Sequence, residues 1–437
     1  MKFYDREKEL ELLRNSEAQA EKAASFTVLM GRRRIGKTSL ILKALEGRPF
    51  AYLFVSRDNE AMLCDKMQRE LQNSLGISVF GRISRFRELF EVIMQASQTR
   101  HFTVVFDEIQ NLYRINAALF SEMQEIWDRY HRSSHINLIA CGSIHTLMKR
   151  IFENRAEPLY GRATSKFTLR PFDTSVLKEI LGDHAPAYQP DDLLTLYMIT
   201  GGVAKYVELL MDAGCFSRQE MLDYVCRQDS YFLTEGRDLV SNEFSNDYNT
   251  YFSILQLLAS GMTRISEIDG VLGKSSGVYL ANLENNYEMI SKVRPLFSKV
   301  GSKVSKYAIR DNFLNFWFRF VYPYQNAIER NQLHLVREGM EESYSQFSGR
   351  VLETYFQNKA MESGKYTEVG NWWDRSGENE INLVAVNEQS HTGFIAEVKR
   401  NPRKISLPIL AKKVEALPQA TFGKYQFTLG GLSLDDM

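Results

Sequence analysis

A chain of 437 residues is longer than one hydrophobic core usually supports, so roughly two to four domains are expected. Its 44% apolar and 25% charged content fits a folded globular protein rather than a disordered or fibrous one. The 54 basic residues balance 54 acidic ones, which excludes a global attraction for nucleic acid and leaves DNA contact to a local basic face.

In chain order, Asp5 is a plausible cap for a leading helix whose Leu10, Leu12 and Leu13 face inward. Residues 26–30, Phe-Thr-Val-Leu-Met, form a short apolar β-branched run, and residues 40–45 carry apolar side chains at helical spacing. Between them lies Gly31-Arg32-Arg33-Arg34-Ile35-Gly36-Lys37-Thr38-Ser39, the spacing G-x-x-x-x-G-K-[ST] in its strand–loop–helix context. Backbone N–H groups and the positive end of the helix converge there on a phosphate. Lys37 would reach the β and γ oxygens of ATP, and Thr38 would offer its hydroxyl to Mg²⁺. The leading helix is then either an ordinary solvated one or a segment folded back over the adenine.

A second apolar strand is expected at residues 50–56, followed by helical sequence to about residue 99. The stretch at residues 102–110 holds a third buried strand, which ends in the adjacent carboxylates Asp107 and Glu108. At a strand's carboxyl end Asp107 would hold Mg²⁺ through water and Glu108 would polarise the attacking water. Residues 136–143 are a further buried strand ending in Ser143, which would either report the γ-phosphate or cap the next helix. Alternating strands and helices imply right-handed crossovers and a parallel sheet, with the loop, Asp107 and Ser143 beyond the strands' carboxyl ends.

These pieces resemble a prokaryotic AAA+-type ATPase of the archaeal-ATPase group, in its MNS/STAND-like branch, whose members often carry a C-terminal DUF234-type, nuclease-like segment. The resemblance rests on the start at residues 3–9, GRRRIGKTSL at 31–40, VVFDEIQ at 104–110 and EPLYGRATSKFTLRPF at 157–172. TGGVAKYVELL at 200–210 and DNFLNFWFRFV at 311–321 extend it over nearly the whole chain. It implies that Arg162 is an arginine finger acting across a subunit or domain interface. It also implies that Lys205, after the Gly201-Gly202 turn of a helical lid, is a second sensor of the phosphates.

From Tyr251 the pattern is three short helices followed by an alternating hairpin, residues 297–300 and 303–309 around Gly301. That is a winged-helix plan. Lys274, Lys292, Arg294, Lys299, Lys303 and Lys306 give it local positive charge, for contact with a DNA backbone or simply on a protein-packing module. Glu284, Asn285 and Asn286 in its third helix weaken base reading, and the aromatic run at residues 311–322 reads as core.

The last segment is expected as a helix at 346–356, strands at 366–373, 379–386 and 393–399, a helix at 406–417 and a strand at 425–429. This order resembles the PD-(D/E)XK nuclease fold, which implies a possible second metal site of Glu353, Glu380, Glu397 and Lys399. Asn382 stands where that fold has an aspartate, and asparagine brings no charge to a hard cation, so a degenerate fold used for binding is favoured over an active nuclease.

The expected architecture is multidomain α/β. A P-loop NTPase parallel sheet occupies residues 1–180, a helical lid 181–245, a winged-helix domain 246–325 and a restriction-endonuclease-like α/β domain 340–437. The expected function is Mg²⁺-dependent ATP hydrolysis that rearranges the C-terminal half on double-stranded DNA or a nucleoprotein. The alternatives are an ATP-dependent signalling switch with a protein partner or a homo-oligomer, and an ATP-gated metal nuclease. Cys64, Cys141, Cys215 and Cys226 form no C-x-x-C pair, which speaks against disulfides and zinc and for a reducing cytoplasm. No apolar run approaches the roughly 18 residues of a membrane span, and residues 1–7 carry no signal-peptide h-region.

Overall fold

The near-continuous apolar runs of the first third become the strands of one sheet. In the computed structural model, which describes residues 1–79, 81–143, 145–241, 244, 248–298 and 304–437, the chain divides into two units. These are Asp5–Arg170, and Pro171–Met437 together with Met1–Tyr4.

In the first unit β1 (Ser25–Met30), β2 (Phe50–Phe54), β3 (Phe102–Asp107), β4 (Ile136–Gly142) and β5 (Ser165–Thr168) are all parallel, in the order β2-β3-β4-β1-β5. Strands β1 and β4 are buried at every residue. Parallel strands covered on both faces need apolar side chains on both, which is why no polar alternation marks them. Helices α1 (Glu7–Ala20), α2 (Lys37–Ala44), α3 (Glu60–Leu75), α4 (Phe86–Ala96), α5 (Asn111–Ile115), α6 (Leu119–Tyr130) and α7 (His145–Glu153) accompany the sheet. α4 shows the pattern plainly: Phe86, Leu89, Phe90, Ile93 and Met94 are buried at helical spacing, with Phe86 and Phe90 against Phe106 of β3. The leading helix α1 packs on β1 and α2. Strand β5 was not among the expected ones, because its alternating, four-residue Ser-Lys-Phe-Thr is an edge segment with half its side chains exposed.

The second unit begins with α8 (Thr174–His184), α9 (Pro190–Thr200), α10 (Ala204–Asp212), α11 (Arg218–Val225) and α12 (Phe232–Ser241). α9 and α10 flank the Gly201-Gly202 turn as expected. α9 is apolar nearly all round and correspondingly buried from Asp192 to Thr200. Next come α13 (Tyr248–Ser260), α14 (Ile265–Leu272), α15 (Gly277–Asn285) and an antiparallel pair, β6 (Ile290–Val293) with β7 (Lys306–Ile309).

The strand expected at residues 297–300 is therefore corrected to 290–293. Phe297 is drawn instead into the C-terminal core, 5.6 Å from the ring of Phe422 and 6.1 Å from that of Tyr425. Burying an aromatic ring there outweighs the local alternation. Lys299, Gly301 and Lys303 lie outside the described residues.

α16 (Asn312–Phe320) buries Phe313, Phe316, Trp317, Phe318 and Phe320. Phe318 meets Phe252 of α13, and Phe320 meets Phe347 of the long α18 (Leu333–Glu362), which follows the short α17 (Gln325–Glu329). The aromatic run is thus core, joining the helices before it to those after. A mixed four-stranded sheet closes the unit. Its strands β8 (Glu368–Trp373), β9 (Glu380–Asn387), β10 (Thr392–Val398) and β11 (Gln426–Leu432) lie in the order β11-β10-β9-β8. Only β10 and β11 are parallel, and α19 (Leu407–Glu415) and α20 (Gln419–Phe422) form the crossover between them. No helix among the described residues is long and apolar enough to cross a membrane.

Candidate functional site

Strand β1 ends at Met30, and the chain turns through residues 31–36 into α2 at Lys37. Gly36 has φ +99°, a conformation that costs a side chain dearly, and Arg34 takes φ +68°. Ile35 pins the loop by being 1% exposed. The turn aims Lys37 back under the loop, where its ammonium donates to the carbonyls of Gly31 at 2.8 Å and Arg32 at 3.1 Å. Burial pushes its pKa down, and the carboxylates of Glu108 and Asp107 work against that shift. Thr38 and Ser39 are exposed on the first turn of the helix. This is a helix N-terminus with a buried cation behind it, an arrangement suited to a phosphate chain.

Asp107 ends β3 at the same edge of the sheet. Its Oδ1 accepts from the Glu108 backbone N–H at 2.9 Å and from Cys141 Sγ at 3.0 Å; its Oδ2 accepts from the Tyr52 hydroxyl at 2.7 Å. That hydroxyl lies 3.3 Å from Thr38 Oγ1. Thr38 and Asp107, the two expected Mg²⁺ residues, are therefore joined through one phenolic oxygen. Burial pushes the Tyr52 phenol and the Cys141 thiol well up, so both stand as neutral donors.

Glu108 sits at φ +56°, a conformation that costs a non-glycine residue on the order of 1–3 kcal/mol. Its Oε2 accepts from Ser143 Oγ at 2.9 Å and from Gln110 Nε2. Ser143 is thus brought to Glu108. Gln110 is wholly buried beneath Gly142, where a Cβ would come within 2.1 Å of Gln110 Oε1. Gly142 is glycine because Gln110 needs the space.

Arg162 is not brought to this site within its own unit. β5 runs parallel to β1 with Ser165 beside Thr27, so residue 162 precedes the strand at the sheet's amino end, opposite the loop. There it pairs with Asp128 at 3.1 Å and donates to the Tyr160 carbonyl at 2.9 Å. Any contact of Arg162 with nucleotide would have to come from another copy. The same sequence piece carries the exposed Arg170 to the loop's end instead: Leu169 N–H bonds the Met30 carbonyl, and Arg6 donates to the Arg170 carbonyl at 2.8 Å. Lys205 belongs to the second unit, its ammonium 2.8 Å from Glu208.

Tyr52, Gln110, Cys141 and Arg170 were missed by reading the sequence. Each lies in a strand or just past one, and nothing in a linear pattern shows that β2 neighbours β3, that β4 lies between β3 and β1 or that β5 pairs with β1.

In the second unit Glu353, Glu380, Glu397 and Lys399 gather where α18 meets β9 and β10, but as charge pairs. Glu397 lies 3.1 Å from Lys399 and from Lys413, which hold its pKa down although burial pushes it up. Glu380 is 2.9 Å from Lys306. Asn382 accepts the Val398 N–H at 3.1 Å through Oδ1 and hydrogen-bonds Glu353 with its side chain. Among the described residues no group of three or more His, Cys, Asp or Glu side chains is placed to hold a metal ion. The residues of the possible second metal site thus stand as charge pairs, with lysines neutralising carboxylates that a hard cation would need.

Burial, reinforced by Glu380, pushes Glu353 from 4.5 up to about 7. A raised carboxyl pKa means the native state holds a proton that the unfolded chain releases between about pH 4.5 and 7. Stability is therefore lost as pH rises through that window. Glu353→Gln is expected to be more stable than the parent by roughly 2 kcal/mol at pH 8 and nearly equal at pH 5, read by denaturant melts. A gap unchanged between those pH values would contradict this.

Comparison with known proteins agrees with this layout. A family described as "ATPase domain predominantly from Archaea" matches residues 3–210, and DUF234, described as "Archaea bacterial proteins of unknown function", matches residues 317–406. The chain is 30% identical over 411 residues to "Uncharacterized protein MJECL04" of Methanocaldococcus jannaschii, covering 91% of this chain and 87% of that one. The solved Walker-type ATPase PABY2304 of Pyrococcus abyssi superposes with a TM-score of 0.52 at 20% identity, over 72% of this chain and 96% of that one, a likeness of fold.

Proposed function

Because the chain belongs to the family of AAA+-like Walker-type ATPases that join an archaeal-type ATPase domain to a C-terminal DUF234 segment, we propose that it binds and hydrolyses ATP with Mg²⁺. The nucleotide state would rearrange its C-terminal half on double-stranded DNA or a nucleoprotein partner. The observation that carries the ATPase reading is the meeting of Lys37, Thr38, Asp107, Glu108 and Ser143 at one edge of a parallel sheet. Residues 31–39 would cradle the phosphates, with Lys37 neutralising charge on the outer oxygens. Thr38 and Asp107 supply the hydroxyl and carboxylate oxygens that fit Mg²⁺, which when bound would neutralise charge on the phosphates. Glu108, steadied by Ser143 and Gln110, would orient the attacking water.

The DNA reading is supported by three helices and an antiparallel pair, α13 to β7, with the order of a winged helix. A second reading, a switch that engages a protein partner, is favoured by the neutralisation of Lys306 by Glu380 and by the seat of Lys292 over the Tyr307 ring, which shrink the basic face. ATP turnover with and without duplex DNA, at two salt concentrations, separates the two. Turnover that responds to duplex, and responds less at higher salt, is expected. Turnover indifferent to duplex at both salts selects the switch, and no turnover in magnesium buffer overturns the ATPase reading.

A further inference from the structure

Both oxygens of Asp107 are occupied. Oδ1 takes the Glu108 N–H and the Cys141 thiol, and Oδ2 takes the Tyr52 hydroxyl at 2.7 Å. The phenol donates its proton to the carboxylate while lying 3.3 Å from Thr38 Oγ1, so it stands between the two side chains whose oxygens suit a hard cation. A hydroxyl that presents its proton to Asp107 takes up an acceptor site on Oδ2 that a cation, or water bound to it, would otherwise use. Cation and phenol contend for one carboxylate oxygen.

Resting on the ATPase reading above, we propose that Tyr52 is a latch on the cation position, holding Asp107 until Mg²⁺ arriving with nucleotide displaces its hydroxyl. Tyr52 is a positioning residue here, acting through Asp107. The latch touches the metal-dependent part of binding only, because the Tyr52 hydroxyl bonds Thr38 and Asp107, whereas Lys37 is held by the carbonyls of Gly31 and Arg32. Nucleotide binding without metal should therefore be blind to the hydroxyl, and metal-assisted binding should work against it.

The test is Tyr52→Phe, which keeps the ring and removes the oxygen, titrated with a fluorescent ADP analogue in EDTA and across a Mg²⁺ series. Affinity in EDTA should stay within about twofold of the parent, and half-saturating Mg²⁺ should fall about tenfold, the scale of a hydrogen bond to a charged group. Tyr52→Leu, which also lacks the hydroxyl, should shift the midpoint the same way. An unchanged or higher Mg²⁺ midpoint in Tyr52→Phe overturns the latch, as does a sharp loss of affinity in EDTA, which would mark Tyr52 as merely structural. If the parent binds no nucleotide in either buffer, the ATPase reading itself fails and the latch with it, an outcome the parent control identifies before any variant is read.

Discussion

Glu108→Gln should bind ATP as the parent does and hydrolyse it about 10²–10⁴-fold more slowly, the usual worth of a positioned general base. The substitution is nearly isosteric. One amide oxygen can still accept from Ser143 Oγ and Gln110 Nε2, so the left-handed backbone at residue 108 and its surroundings keep their anchors. What is lost is the negative charge that draws a proton from water. Binding and chemistry should therefore separate: equilibrium titration unchanged, single-turnover hydrolysis stalled. A variant that hydrolyses at the parent rate would mean Glu108 does not orient the nucleophile, whatever holds it in place.

How legible this site was depends on the range of the interaction that makes it. The loop at residues 31–39 is local: a strand, two glycines and a helix are contiguous, so spacing alone conveys the geometry, and Asp107 and Glu108 are marked by ending an apolar run. Tyr52 is legible only once β2 is known to pair with β3, which brings Tyr52 beside Val105 and two residues from Asp107. Arg162 shows the converse. The resemblance implies for Arg162 a finger acting across an interface, and the register of β5 against β1 puts that arginine at the far end of the sheet from its own loop and Arg170 at the near one, which no linear pattern shows. The first strand of the hairpin shifted through competition, because the alternation read from residue 297 is a local signal and the packing of Phe297 against Phe422 and Tyr425 is a tertiary one, and the pair forms from residues 290–293 and 306–309. In the last segment the succession of helix and strands along the chain was readable from patterning, whereas Lys306 of β7 and Lys413 of α19, which pair with Glu380 and Glu397, could not be assigned to them in advance.

Lys37→Ala is expected to abolish measurable turnover and to weaken nucleotide binding by about ten- to a hundredfold, since hydrogen bonds to charged groups are worth about 1.5–3 kcal/mol. The loss in turnover should exceed the loss in binding, because a preorganised donor is worth about 10²–10³ in rate where charge develops on the outer phosphate. Stability should move the other way. The fold carries an ammonium whose pKa burial has lowered, a sign that the charged form is less well solvated there than in the unfolded chain. Among the described residues its hydrogen bonds go to two backbone carbonyls, those of Gly31 and Arg32. Removing the charge should therefore leave the nucleotide-free melting temperature unchanged or raised, and Lys37→Met, which fills the space of the stem, should raise it more clearly. Magnesium and ADP stabilise whatever binds them, so the parent should melt higher in their presence and both variants should gain clearly less at the same ligand concentration. A Lys37→Ala protein that keeps both turnover and the nucleotide-dependent rise in melting temperature would show that the buried ammonium serves the loop's own backbone and not a phosphate.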